Sequence, residues 1–149
     1  MDTDARIRYL AIVLRVFGAL MLGLFATLFI LTAADSPLMQ EGGALAWLRW
    51  KPFSKHVELM LEIVYLVWAV FMLRASSNPR KYLSFIDFTA WANAAHGILM
   101  VVQTFVLADQ WHKLFIDDAF TLILAGLLFW LRLRGLGETT TSAPRAGTS

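Results

Sequence analysis

The sequence predicts an all-α fold: a four-helix transmembrane bundle with an interfacial segment in its first loop. Three observations predict it. Hydrophobic residues make up 58% of the 149 residues and charged residues 16%, whereas a soluble domain is nearer half apolar and about a quarter charged. The apolar residues gather in four long stretches, with the charges mostly between them. A chain of this length forms one domain. A domain that small cannot bury four such stretches in its own core, so lipid must cover part of them.

The remaining composition excludes several function classes. The net charge is +2, and no Lys/Arg-rich run points to nucleic acid. The basic residues read instead as membrane-orientation signals. There are no cysteines. That removes disulfides, thiolate metal sites, Cys-X-X-Cys redox chemistry and palmitoylation, and with them membrane thiol oxidoreductases of the vitamin K epoxide reductase type.

The first span is residues 9–33, about 37 Å of helix at about 1.5 Å per residue. Arg6 and Arg8 precede it as in a signal peptide, but the run exceeds the roughly 7–15 residues of a signal core, so it is a retained helix. Residues 34–56 form a long loop. Asp35-Ser36-Pro37 stops the first helix, and Gly42-Gly43 breaks any continuation. The stretch Leu45-Ala46-Trp47-Leu48-Arg49-Trp50-Lys51-Pro52-Phe53 mixes aromatic and basic side chains, a composition suited to the headgroup region. It reads as an interfacial anchor, with a lid or lipid-contact element as the functional alternative.

The second span is residues 57–73, followed by a polar turn at 74–81 containing Asn78-Pro79. The third is 83–107 and the fourth 114–133, joined by a short connection. The transmembrane domain is thus residues 1–134. The tail at 135–149 is rich in Gly, Thr and Ser and is predicted to be disordered.

Counting Lys and Arg gives the orientation. Arg6, Arg8, Arg15, Arg74, Arg80, Lys81, Arg132, Arg134 and Arg145 fall on one side, and Arg49, Lys51, Lys55 and Lys113 on the other. The excess predicts both termini on the cytoplasmic side of the membrane. Small residues recur at helical spacing: Ala19, Gly23 and Thr27 in the first span, and Ala90, Ala94 and Gly97 in the third. Such stripes let helices approach closely in lipid, within the bundle or against another membrane protein.

Polar groups inside the spans each need an account, because an acidic side chain at a span centre costs about 2.5–3.5 kcal/mol. Asn93, His96 and Gln103 are offset by three and seven residues and share one face of the third helix. Glu58 and Glu62 share a face of the second. Asp117 and Asp118 open the fourth. The expectation is one polar cluster of Glu58, Glu62, His96, Gln103, Asp117 and Asp118 between helices two, three and four, near the outer surface, with His56 and His112 at the same level. Convergent polar groups between bundle helices are where sites are built. The competing reading is structural: the first-turn carboxylates favour the helix dipole, and His96 bonds a neighbour. Imidazole and carboxylates can bind zinc or iron, but no His-X-X-X-His or Glu-X-X-His spacing occurs. No metal and no cofactor are expected. Asp87, with Arg15, Arg74 and Arg132 at the cytoplasmic ends, reads as an ion-pair or snorkelling position rather than a site.

Roughly half the chain, residues 57–129, resembles the BphX-like family of small bacterial membrane proteins. The matching pieces are Glu58-X-Met60, Tyr65, the Ala75-Ser76-Ser77-Asn78-Pro79 turn and Ser84-Phe85-Ile86-Asp87-Phe88-Thr89-X-Trp91. They continue with His96-Gly97-Ile98-Leu99-Met100-Val101-Val102-Gln103 and an aspartate entering helix four. Asp87 stands where the pattern favours an aromatic and Asn93 where it favours Ser. The resemblance implies a four-span inner-membrane protein, encoded in some members near aromatic-degradation genes. It implies no activity.

Three functions follow as expectations. The first is binding of a small molecule or lipid at the polar cluster. The second is an accessory subunit packed against a membrane protein partner. The third is an enzyme, such as a membrane isomerase or hydrolase, using Glu62 and His96 as an acid/base pair. A proton-coupled exporter fits poorly, because the first span has no embedded carboxylate.

Overall fold

A computed structural model describes residues 2–107 and 111–133. The predicted tail at 135–149, and Arg134 and Arg145 of the charge count, lie outside the described residues. Four α-helices follow in order: α1 (Thr3–Ala33), α2 (Lys55–Ser77), α3 (Leu83–Val106) and α4 (Asp117–Leu133). Short 3-10 turns lie at Ala46–Leu48, Pro79–Tyr82 and Trp111–Phe115. All four spans are long and apolar enough to cross a membrane, and only 17–33% of each is buried inside the protein. Apolar side chains such as Ile12, Val16, Val67, Val70, Ile98, Val102 and Ile123 face outward on all four helices. This is a multi-pass membrane protein, with the bilayer as solvent for its outer surface.

Local chemistry sets the helix ends. α1 begins six residues before its apolar run because Asp2 caps it, accepting from the Ala5 N–H at 2.6 Å. It ends in a paired capping motif: Ser36 N–H donates to Leu31 O at 2.9 Å and Asp35 N–H to Thr32 O at 3.2 Å. Asp35 takes the left-handed conformation there, with φ 51°, a region aspartate tolerates better than most residues. α2 outlasts its predicted end at 73 and runs to Ser77. The Ser76 and Ser77 hydroxyls donate to the carbonyls of Leu73 and Arg74, each at 2.7 Å, and Pro79 then ends the helix. The fourth span opens as a 3-10 turn, so its α-helical part starts at Asp117 rather than 114.

The helices pair as two hairpins. α1 packs along α2 and α3 along α4, with a lesser contact between α1 and α4. α1 and α2 approach closely at Gly18, where an added Cβ would lie 3.1 Å from the Met72 Cβ. Ala19, Gly23 and Thr27 are exposed, so the predicted stripe on α1 faces outward. On α3, by contrast, Ala90 and Gly97 are buried, and a Cβ at Gly97 would press into Leu122 of α4.

α2 and α3 have no comparable close packing. Aromatic side chains span their seam. Phe71 meets Phe85 with ring centroids 6.0 Å apart, and Trp68 meets Phe88 at 5.5 Å. The Trp68 indole N–H donates to Thr89 Oγ1 at 3.1 Å.

The two halves of the bundle differ. The half carrying the N-terminus is solid, with Leu10, Leu14, Met72, Ala75, Ile86, Leu124, Leu128 and Leu131 almost fully buried. The Asp87 carboxylate is held there by two hydrogen bonds from Arg132, at 2.7 and 3.0 Å. Arg80 pairs with Asp4 at 2.8 Å, which seats the α2–α3 turn beside the start of α1. The opposite half is hollow.

Replacing Gly18 by Leu forces a side chain against Met72 and should destabilise the bundle by about 1–3 kcal/mol, the usual cost of overpacking. Gly126→Leu adds a side chain where nothing lies within 4 Å. Thermal denaturation in detergent should therefore show a lowered midpoint for Gly18→Leu and none for Gly126→Leu.

Candidate functional site

The hollow half encloses a cavity of about 470 Å³. All four helices contribute to it. α1 supplies Met21, Leu24, Phe25 and Leu28, which recur at i, i+3, i+4 and i+7 and so form one helical face. α2 supplies Glu58, Leu61, Glu62 and Tyr65, and α3 supplies Asn93, His96, Met100 and Gln103. From α4 come Asp117, Phe120 and Thr121. Five of the six residues expected in the polar cluster thus line one cavity. Asp118 does not. Successive helical residues point about 100° apart, so with Asp117 turned to the cavity Asp118 faces α3. There it is buried and accepts from Thr104 Oγ1 at 3.2 Å.

Glu62 is the most enclosed carboxylate of the cavity wall, 6% exposed. Its Oε1 accepts from Thr32 Oγ1 at 3.0 Å, which ties α2 to the last turn of α1. Its Oε2 is buried with no hydrogen bond. His96 meets α2 three residues further along, its Nε2 lying 2.9 Å from the Tyr65 hydroxyl. Tyr65 in turn stacks on Phe25 with ring centroids 4.5 Å apart. Glu62 and His96 are therefore bonded to Thr32 and Tyr65, not to each other. Asn93 turns back on its own helix and donates to Thr89 O at 2.8 Å. Gln103 is exposed at the cavity edge.

The first loop covers this half of the bundle. Arg49 is its anchor. The guanidinium donates to both Glu58 oxygens, at 2.8 and 2.9 Å, and to Met39 O at 2.7 Å, and lies 4.4 Å from the Phe53 ring centroid. A bidentate pair of this kind fixes direction as well as distance. Glu58 also accepts from Ser54 N–H at the start of α2, at 3.2 Å. On the far side the Trp50 indole N–H donates to Asp117 Oδ2 at 3.2 Å. Lys113, fully buried, donates to the same oxygen at 3.0 Å and to Leu48 O at 2.6 Å. His112 Nε2 lies 3.1 Å from Trp47 O, while His56 is exposed. Leu48, Arg49, Trp50, Lys51 and Pro52 form part of the cavity wall. The segment that composition marks as interfacial is thus also a lid, clamped to α2 by the Arg49–Glu58 ion pair and to the start of α4 by hydrogen bonds from Trp50 to Asp117 and from Lys113 to Leu48 O.

The lid leaves the side of the cavity open. Leu61 on α2, and His96 and Gln103 on α3, line the cavity and are also exposed. They flank the loosely packed α2–α3 seam, which in a bilayer faces lipid. Among the described residues, no three His, Asp or Glu side chains stand close enough to share a metal ion.

Sequence reasoning missed Thr32, Tyr65, Trp50 and Lys113 as parts of the site. It also placed the cluster between helices two, three and four, whereas α1 forms one wall and supplies the Glu62 partner. Only the α1 periodicity could have shown this. The pairings of Trp50 and Lys113 depend on where the loop lands.

The chain belongs to the family of unknown function DUF6632, which it matches over residues 5–148. The BphX-like resemblance has no counterpart in that match. No curated protein and no solved structure matches the chain.

Arg49→Ala should release the lid. Breaking a buried pair costs about 3–5 kcal/mol, and this slightly exposed pair should fall at the lower end. Amide exchange over residues 44–54 should accelerate. Lys51→Ala, an exposed neighbour on the same segment, should leave exchange unchanged; equal exchange in the two variants would rule out Arg49 as the clamp.

Proposed function

We propose that this protein binds a small apolar molecule or lipid in the lidded cavity. One observation carries the reading: Glu62, His96 and Gln103, three polar side chains costly to place in a membrane, line a single cavity with otherwise mostly apolar walls. Its volume of about 470 Å³ falls within the roughly 300–1,000 Å³ of small-molecule sites, which also combine apolar walls with a few placed polar groups. The open seam between α2 and α3 gives a membrane-dissolved ligand a lateral way in. The excess of Lys and Arg at the end carrying the N-terminus supports an inner-membrane orientation with both termini in the cytoplasm. The BphX-like resemblance agrees with that placement and adds no activity.

A second reading is favoured by a separate feature. Ala19, Gly23 and Thr27 form a small-residue stripe on the outer face of α1, and a Cβ at Gly23 would meet nothing within 4 Å among the described residues. Packing of another membrane helix against it would make this an accessory subunit.

Native mass spectrometry of protein purified in mild detergent tests both readings. A small molecule or lipid should stay bound to the wild type and be lost from a Glu62→Ala, His96→Ala double variant. Equal retention by the double variant would move the site elsewhere. The accessory-subunit reading expects a co-purifying chain that Gly23→Leu removes, and a lone monomer would count against it.

A further inference from the structure

We infer, building on the binding reading above, that the ligand is a lipophilic amine whose N–H groups donate to Glu62 while its apolar body lies against Phe25 and Tyr65. Glu58 is matched by Arg49, and Asp117 by Lys113. Lys51 is exposed on the lid. Glu62 is hydrogen-bonded only to the neutral hydroxyl of Thr32. Of the three carboxylates in the wall, it alone makes no ion pair among the described residues; the Arg49 charge acts on it from a distance.

Its hydrogen bonding is also incomplete. Oε2 is buried and accepts nothing, in a residue 6% exposed. A buried carboxylate oxygen without a donor is expensive, by about 1–3 kcal/mol or more for a charged group. Glu62 lines the cavity, and rotation about the final side-chain bond of glutamate is soft, so the carboxylate can turn to meet a donor there. A donor arriving through the cavity then completes the shell. A carboxylate or phosphate ligand would instead place a second acceptor beside it.

The surroundings favour a cation over a merely polar donor. Phe25 and Tyr65 stack within the cavity wall, and Phe120 and Trp50 add two further rings. Aromatic faces attract organic cations, by about 2 kcal/mol or more when water is excluded. Met21, Leu24, Leu28, Leu61 and Met100 also line the wall, which suits an apolar body. The molecule can enter through the seam flanked by Leu61 and Gln103 without passing the lid.

Three probes sharing one skeleton test this: phenylbutylamine, phenylbutanol and phenylbutyrate, titrated into the full chain in lipid nanodiscs. The amine should bind about tenfold more tightly than the alcohol, and the carboxylate most weakly. Glu62→Gln keeps an oxygen for Thr32 and puts an NH₂ donor where the acceptor stood. It should weaken the amine about tenfold and the alcohol, which can bond either group of the amide, far less; retained alcohol binding also reports an intact cavity. The wild-type ranking needs no variant, so the test survives if Glu62→Gln does not fold. If the carboxylate equals or exceeds the amine, or Glu62→Gln leaves the amine unchanged, the amine assignment fails while cavity binding stands. If none of the three binds, both fail.

Discussion

Bulky side chains hold α2 and α3 apart, and that spacing determines what the rest of the molecule can be. Where α1 meets α2, a glycine lets the backbones close up until Gly18 nearly touches Met72. Across the α2–α3 seam the contacts are made instead by Trp68, Phe71, Phe85 and Phe88. Near the N-terminal end, aliphatic side chains from the other helices fill the resulting space. Towards the first loop the fillers stop, and Glu62, His96, Gln103 and Asp117 face a gap. In lipid there is no water to compensate an unpaired polar group, so a hollow lined by such residues is expensive unless each has a partner or the hollow has an occupant.

The lid follows from the same constraint. Arg49, Lys113, Glu58 and Asp117 all stand at the loop end of the bundle, partly or fully withdrawn from water. Alone, each would carry a large desolvation cost. In pairs, with backbone carbonyls taking the remaining donors, that cost is largely offset. The pairs also give direction, because Arg49 can meet both Glu58 oxygens and Met39 O in only one pose. Surface ion pairs contribute little, and the Arg80–Asp4 pair at the opposite end is of that exposed kind. The lid pairs are enclosed, and they position a loop that would otherwise have only headgroups to rest on.

Much of the bundle was legible in the sequence because one-dimensional patterns encode it. Long apolar runs give the four spans, and Asp35-Ser36-Pro37 ends α1 where a stop was expected. The offsets of Asn93, His96 and Gln103 place them on one face, and all three line the cavity. The pairing of Asp87 with an arginine was legible too, since both stand at the same end of the bundle. Other features have no local signature. Trp50 reaches Asp117 across 67 positions, and a loop of this length has no register that sequence could fix. Thr32 looks like any hydroxyl at a helix end until Glu62 is opposite it. Asp118 was different. Its separation from Asp117 follows from helix geometry alone, and the pair needed to be divided between two faces from the start.

That division gives the sharpest physical contrast in the protein. Glu62 and Asp118 are both buried, both accept one hydrogen bond from a threonine, and both leave the second oxygen unpartnered. By chemistry alone they are equivalent. They differ in what lies beside them. Asp118 is packed between α3 and α4, which Gly97 brings together, and it does not line the cavity. Glu62 borders open volume, a stacked aromatic pair and a seam facing the bilayer. An incomplete hydrogen-bonding shell is a cost wherever it occurs. Next to a cavity it also becomes a means of recognition, because whatever enters can supply the missing donor.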